Sequence, residues 1–148
     1  MKPTLFLLFT LLFAGTIVLT SCNDPWEEVN YLQEKVMEVH DSSMVKMDVI
    51  YQTQKGLKKL IAVDSGDSLG VDQTVKETIH QALVELDEAD AAMFAWMAQY
   101  EVPNPEKYTS ETATQYLYEQ LISIFAVDQK MDTAIVQGKQ LLDQYGKE

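Results

Sequence analysis

Three long segments of the chain carry apolar residues at alternating steps of three and four positions. This spacing places the apolar side chains on one face of an α-helix. The first segment covers about residues 25–63 and opens with Asp24 and Pro25, an N-cap residue followed by proline at the first helical position. The second covers about residues 72–100 and stops before a proline-containing stretch, which cannot continue a helix. The third covers about residues 110–145.

Each predicted helix has one apolar face, and the three faces together define a candidate core. The face of the first helix consists of Val29, Leu32, Val36, Val39, His40, Ser43, Met47, Ile50, Leu57 and Ile61. The face of the second consists of Val75, Ile79, Ala82, Leu86, Ala89, Met93, Trp96, Met97 and Tyr100. The face of the third consists of Ala113, Leu117, Leu121, Ile124, Met131, Ile135 and Leu142. Short connections imply antiparallel neighbours, so the pattern predicts an all-α fold, an elongated up-down-up three-helix bundle.

The first 22 residues have the pattern of a bacterial export signal. A positively charged start precedes an apolar run of about 15 residues, which is short for a membrane-spanning helix of about 20 residues. The tetrapeptide Leu-Thr-Ser-Cys that ends at Cys22 resembles the lipobox, where a signal peptidase cuts before a cysteine that is then acylated. We therefore expect residues 1–21 to be a cleaved lipoprotein signal peptide and residues 22–148 to be the mature chain, with Cys22 as the lipid-attachment residue. The alternative is a secreted protein with an incidental cysteine.

Composition and the predicted lipid together restrict the possible partners. Two or three acyl chains anchor a protein stably to a bilayer, so we expect a lipid-anchored cell-envelope protein. We expect the outer membrane of a Gram-negative bacterium as its location, with the inner membrane as the alternative. The 148 residues include 23 acidic and 11 basic side chains, a formal net charge of −12, and every basic residue is lysine. Nucleic-acid phosphates require clustered cations, so the composition excludes nucleic acid as a partner. The single cysteine excludes an internal disulfide.

Two polar residues, His40 and Asp90, interrupt the apolar faces of the first two helices. Folding those helices about a turn centred near residue 67 brings the two side chains within about one helical turn of each other. We expect a buried polar pair, because burying a carboxylate without a partner is costly. Asp128 interrupts the third face in the same way. The same folding scheme places it near Tyr51, Gln54 and Lys55.

The layer around the predicted pair also collects methionines. Cu(I) prefers soft thioether and imidazole donors. An alternative copper site would consist of His40, Met44, Met47, Asp90, Met93 and Met97. Methionine also fills irregular gaps in apolar cores, and on this interpretation the protein has no cofactor. The sequence shows no serine–histidine–aspartate arrangement, and we expect that the protein is not an enzyme.

Several stretches resemble a family of small bacterial lipoproteins. Residues 34–41, followed by Met44 and Met47, are similar to the first helix of that family. Residues 89–97 and the later segment 116–120 are similar to its second signature. Proteins of this family are often labelled "viral A-type inclusion protein", a name inherited from coiled-coil similarity. The resemblance implies a lipid-anchored helical bundle and supplies no activity, which favours a structural or protein-binding role with another envelope protein as partner.

Overall fold

A computed structural model describes residues 24–63 and 72–146, which form three long α-helices. Helix α1 covers Glu27–Val63, α2 covers Gln73–Gln99 and α3 covers Ser110–Tyr145. The helices pack against one another, and the two described ranges contain no strand. The predicted all-α three-helix bundle is therefore confirmed.

Some predicted features cannot be compared with this structure. The predicted signal peptide, the predicted lipid-attachment residue Cys22 and most of the connection between α1 and α2 lie outside the described residues. Of the helices that are described, none is both long and apolar enough to cross a membrane.

Local hydrogen bonds explain where the helices begin and end. Ahead of α1, the Asp24 carboxylate accepts a hydrogen bond from the backbone N–H of Trp26 at 3.0 Å. Thr109 and Thr112 form a capping box at the start of α3, because each side chain accepts a hydrogen bond from the other residue's backbone N–H. Helix α2 ends where Tyr100 takes an extended conformation, with φ −70° and ψ 127°. This end lies just before the prolines of the connection, as the sequence predicts.

A single core cluster combines apolar side chains from all three helices. Its largest fully buried members are Val29, Val36, Ile50, Leu57, Ile79, Leu86, Met93, Leu117, Ile124 and Met131. All of these positions belong to the predicted faces. Five further buried positions lie outside those faces: Thr53, Leu83, Pro103, Ala134 and Gly138. Several predicted core residues are only partly buried at its edge: Val39, Met47, Ile61, Leu121 and Leu142.

Helices α1 and α3 run parallel and approach closely at Gly138. A Cβ atom added at Gly138 would lie 2.6 Å from Thr53 Cγ2 and 3.2 Å from Leu86 Cδ1. These distances are shorter than an ordinary van der Waals contact, so glycine allows the approach. The Thr53 hydroxyl donates a hydrogen bond to the carbonyl of Val49 at 2.7 Å. The Thr53 methyl group is thus left to pack against the α3 backbone.

Candidate functional site

His40 and Asp90, the predicted polar pair, do not form a hydrogen bond with each other. His40 Nδ1 lies 2.9 Å from Asp41 Oδ1, and the imidazole packs against Trp96 with 5.7 Å between the ring centroids. Folding about a turn centred near residue 67 sets His40 opposite the α2 turn that contains Trp96, so the observed register of α1 and α2 is close to the expected one. The ring nevertheless uses its chain neighbour Asp41 as its polar partner.

Asp90 is partly buried, and it makes no hydrogen bond or ion pair within the described ranges. Burial raises its pKa, and the negative charge of Asp87 adds to the rise. The prediction that Asp90 holds a donor inside the bundle is therefore wrong for the residues that the structure describes. Its carboxylate lies at the edge of the core, where water can reach it.

The residues of the alternative copper site differ widely in exposure. Met93 is fully buried and Met44 is 37% exposed, while Met47 and Met97 lie partly buried against the core. Across residues 24–63 and 72–146, no group of three or more histidine, cysteine, aspartate and glutamate side chains is placed to hold a metal ion. This result concerns histidine, cysteine, aspartate and glutamate and does not include methionine. A copper site that uses methionine sulfurs therefore stays an alternative prediction. Packing alone explains the burial of Met93.

A charged network between α1 and α3 surrounds Asp128. Asp128 Oδ1 accepts hydrogen bonds from Ser43 Oγ at 2.6 Å and from Lys46 Nζ at 2.7 Å. The same ammonium group lies 2.7 Å from Asp132 Oδ1. Ser43 is fully buried, and the side chains of Lys46 and Asp128 are only 23% and 19% exposed. The network therefore holds two helices together in a setting that is mostly shielded from water.

The network favours the charged forms of both Asp128 and Lys46. Burial by itself raises the pKa of Asp128, but the hydrogen bonds from Lys46 and Ser43 outweigh burial and lower it. Burial likewise lowers the pKa of Lys46, and the hydrogen bonds to Asp128 and Asp132 more than compensate, so the pKa is raised. A lysine that holds its proton this firmly is a poor general base for the neighbouring serine hydroxyl. The arrangement is suited to fixing helix position and unsuited to nucleophilic catalysis.

The observed partners of Asp128 correct the predicted ones, which were Tyr51, Gln54 and Lys55. Asp128 is separated in sequence from Ser43 and Lys46 by 85 and 82 residues, whereas the predicted partners lie farther along α1. The cause is the connection between α2 and α3, which packs beside the first turns of α3. There the backbone N–H of Glu101 donates to the Tyr116 hydroxyl at 2.8 Å. Helix α3 therefore starts beyond the end of α2, and each of its residues faces an earlier position on α1.

A row of aromatic rings, which the sequence analysis did not predict, lies where α2 ends and α3 begins. Beyond His40, Trp96 stacks on Tyr100 with 4.8 Å between centroids. Tyr100 lies 6.4 Å from Tyr116, and Tyr116 lies 5.6 Å from Tyr108. Trp96 Nε1 and the Tyr100 hydroxyl are buried without a hydrogen-bond partner in the described part of the chain. The available signal was the four-residue spacing of Trp96 and Tyr100, which the pattern of apolar faces treats as ordinary core.

An open groove of about 630 Å³ lies between α1 and α3, near the start of both helices. This α1–α3 groove is lined by Tyr31, Leu32, Lys35, Glu38, Val39, Ser42, Tyr118, Leu121 and Phe125. Three of its aromatic rings remain exposed, Tyr31 by 57% and Tyr118 and Phe125 by 48% each. The Tyr118 hydroxyl donates to Glu28 Oε1 at 3.2 Å across the helix pair. The bundle thus leaves apolar surface uncovered along one helix pair.

A shallow acidic depression of about 540 Å³ adjoins the groove at the beginning of α1. It is lined by Asp24, Pro25, Glu27, Glu28 and Tyr31. Tyr31 belongs to both surfaces, so apolar groove and acidic depression form one continuous area. Grooves elsewhere on the described surface have walls rich in glutamine, glutamate and threonine. The α1–α3 groove is therefore the candidate binding surface that the geometry favours.

No protein-family model, no curated protein and no solved structure matches the chain. The resemblance to small bacterial lipoproteins accordingly stays a prediction from sequence.

Proposed function

We propose that the protein is a lipid-anchored component of the bacterial cell envelope that binds another protein through its helical bundle. The observation that supports binding is the α1–α3 groove, whose exposed aromatic rings form a contiguous apolar area with a polar rim. Contiguous exposed apolar areas with a polar rim mark sites where proteins bind a partner or a ligand. The anchor is supported by the apolar run and the lipobox-like tetrapeptide that ends at Cys22. The proposed membrane is the outer membrane of a Gram-negative bacterium, and no catalytic activity is proposed.

The anchor and the groove would lie near each other. Helix α1 begins at Glu27, and an extended chain from Cys22 to that point spans at most about 17–18 Å. Along α1, the groove extends from Tyr31 to Ser42, a distance of about 16 Å at 1.5 Å per residue. A lipid on Cys22 would therefore hold the groove within about 40 Å of the bilayer surface. A partner would be met close to the membrane.

Two measurements on the full chain test this proposal. Radiolabelled palmitate should enter the wild-type protein and should not enter Cys22→Ser, because the thiol is the proposed acylation site. A photo-crosslinking amino acid placed at Phe125, in the groove, should give a discrete protein adduct in cells. The matched control is Phe94, which is 54% exposed on α2 and outside the groove. Equal palmitate labelling of both proteins contradicts the anchor, and equal adducts at both positions contradict the binding surface.

A further inference from the structure

We infer that the α1–α3 groove accepts a basic amphipathic helix, which lies along it as a fourth helix of the bundle. This inference rests on the proposed protein-binding function and specifies the chemistry of the partner. The partner helix presents an apolar stripe to the groove and lysine or arginine side chains to its rim.

Helix α3 carries exposed apolar side chains with helical spacing. Tyr118, Ile122 and Phe125 are 48%, 72% and 48% exposed, and they follow one another at steps of four and three residues. These steps form an apolar stripe on a helical face, in addition to the buried face that α3 already packs into the core. A helix of a closed three-helix bundle needs only one such stripe. A second stripe with helical spacing is the surface that another helix packs against.

The shape and length of the groove suit a docked helix. Leu32 is buried and Leu121 is half-buried, and they form an apolar floor between the exposed rings of Tyr31 and Phe125. The groove follows α1 for about 16 Å, or three helical turns. The anchors of a docked helix at positions i, i+3 or i+4, and i+7 span about 10.5 Å, which fits within this length.

The charge of the groove and the adjoining depression favours a cationic partner. Four carboxylates line the groove and the adjoining depression, those of Asp24, Glu27, Glu28 and Glu38. The only cation in these two linings is Lys35, which already lies 2.6 Å from Glu38. A second copy of the chain would bring two such acidic surfaces together, and an anionic bilayer would be repelled in the same way. A cationic helix, in contrast, is attracted to these carboxylates.

The groove is less suited to an acyl chain. Lys35, Glu38 and Ser42 stand on its wall, and hydrocarbon laid against them would remove water from polar groups without replacing their hydrogen bonds. A helix places its own polar side chains at that rim and its apolar side chains on the floor. A docked helix therefore matches both the polar wall and the apolar floor of the groove.

The test uses the full chain in phosphatidylcholine vesicles and two fluorescent helical peptides of about 14 residues, or four turns. Both peptides carry the same leucine stripe, which lysines flank in one peptide and glutamates in the other. Fluorescence anisotropy is measured with protein-containing and protein-free vesicles. The protein variants are Phe125→Ala in the groove and Phe94→Ala as the matched control, since both side chains are about half exposed and both changes remove one aromatic ring.

We expect the lysine peptide to bind the protein at least about tenfold more tightly than the glutamate peptide, with an affinity that falls as salt rises. Phe125→Ala should weaken binding by about tenfold or more, and Phe94→Ala by less than about twofold. Because the assay does not require acylation, it remains informative if palmitate labelling fails. If Cys22→Ser binds the peptide more tightly than wild type, the protein's own lipid occupies the groove and the inference is wrong.

Three further results would also overturn the inference. Equal binding of the two peptides would remove the charge argument. Equal binding to vesicles with and without protein would assign the signal to lipid. A concentration-dependent dimer that Phe125→Ala abolishes, seen by sedimentation in detergent, would assign the groove to a second copy of the chain.

Discussion

Replacing Asp128 with alanine should destabilise the bundle far more than replacing Asp132, its neighbour in the same network. The first change leaves the buried Ser43 hydroxyl with only the Val39 carbonyl, 2.8 Å away, and leaves Lys46 with one exposed partner. Losing a hydrogen bond to a charged group costs about 1.5–3 kcal/mol, and breaking a fully buried ion pair costs about 3–5 kcal/mol. Since the Lys46 and Asp128 side chains keep about a fifth of their exposure, we expect a loss of about 2–3 kcal/mol.

The matched change at Asp132 should have little effect. Its side chain is 58% exposed, and exposed ion pairs contribute at most about 1 kcal/mol. The stabilisation by Asp128 should also depend on pH in a defined direction. Folding lowers the pKa of this carboxyl below its ordinary value of 3.8, so the stabilisation is present above that value and is lost as the pH falls through the folded-state pKa. The difference between wild type and Asp128→Asn should therefore shrink in acid.

Urea unfolding of the chain from residue 24 onward, followed by helical circular dichroism, measures these effects. A double-mutant cycle between Lys46→Met and Asp128→Ala should give a coupling energy above about 1 kcal/mol. Equal unfolding midpoints for Asp128→Ala and Asp132→Ala would refute the reasoning, because they would mean that both carboxylates are equally solvated. An unchanged difference between wild type and Asp128→Asn in acid would refute the pH argument separately.

Two further predictions concern single positions in the bundle. Gly138→Ala should lower the urea midpoint, since overpacking against Thr53 costs about 1–3 kcal/mol and outweighs a helix-propensity gain of about 1 kcal/mol. Gly56→Ala meets only the flexible end of Leu142 and should not lower it; equal losses would contradict the packing argument. Asp90→Asn should raise the midpoint at neutral pH, because burial disfavours its charge. Asp87→Asn relieves the repulsion between Asp87 and Asp90 but weakens the hydrogen bond that the Asp87 carboxylate accepts from Gln54, so it should raise the midpoint less than Asp90→Asn does. A loss of stability in Asp90→Asn would contradict the assignment.

Local features of the sequence were sufficient to predict the helices. Apolar periodicity and capping act within a few residues, and the predicted end of α1 at residue 63 and start of α3 at residue 110 agree with the structure. The axial position of α3 depends on how the connection before it packs, and no local pattern encodes that packing. The hydrogen bond from Glu101 to Tyr116 is a contact of this kind. Because the sequence does not reveal it, the predicted partners of Asp128 lie too far along α1.

The groove shows a different limit of sequence reasoning. The spacing of Tyr118, Ile122 and Phe125 is visible in the sequence, but periodicity alone does not reveal which of two apolar stripes a helix packs inward. The buried Leu117 and Ile124 lie beside these residues in sequence and carry the stronger signal for the core. Only the packed bundle separates the stripe that is buried from the stripe that remains exposed.

The groove and the charged network belong to one helix interface, and this explains why a polar network is placed there. Ser42 lines the groove while Ser43, the next residue, is bonded to Asp128. Buried ion pairs add little net stability compared with apolar side chains, but in some proteins they select one arrangement of the helices over its alternatives. If α3 slipped by one turn, about 5.4 Å, the Asp128 carboxylate would lose both of its donors. The same slip would shift the α3 wall of the groove, which includes Phe125, relative to the α1 wall, which includes Val39. The contacts that select one axial position of α3 therefore also preserve the shape of the groove.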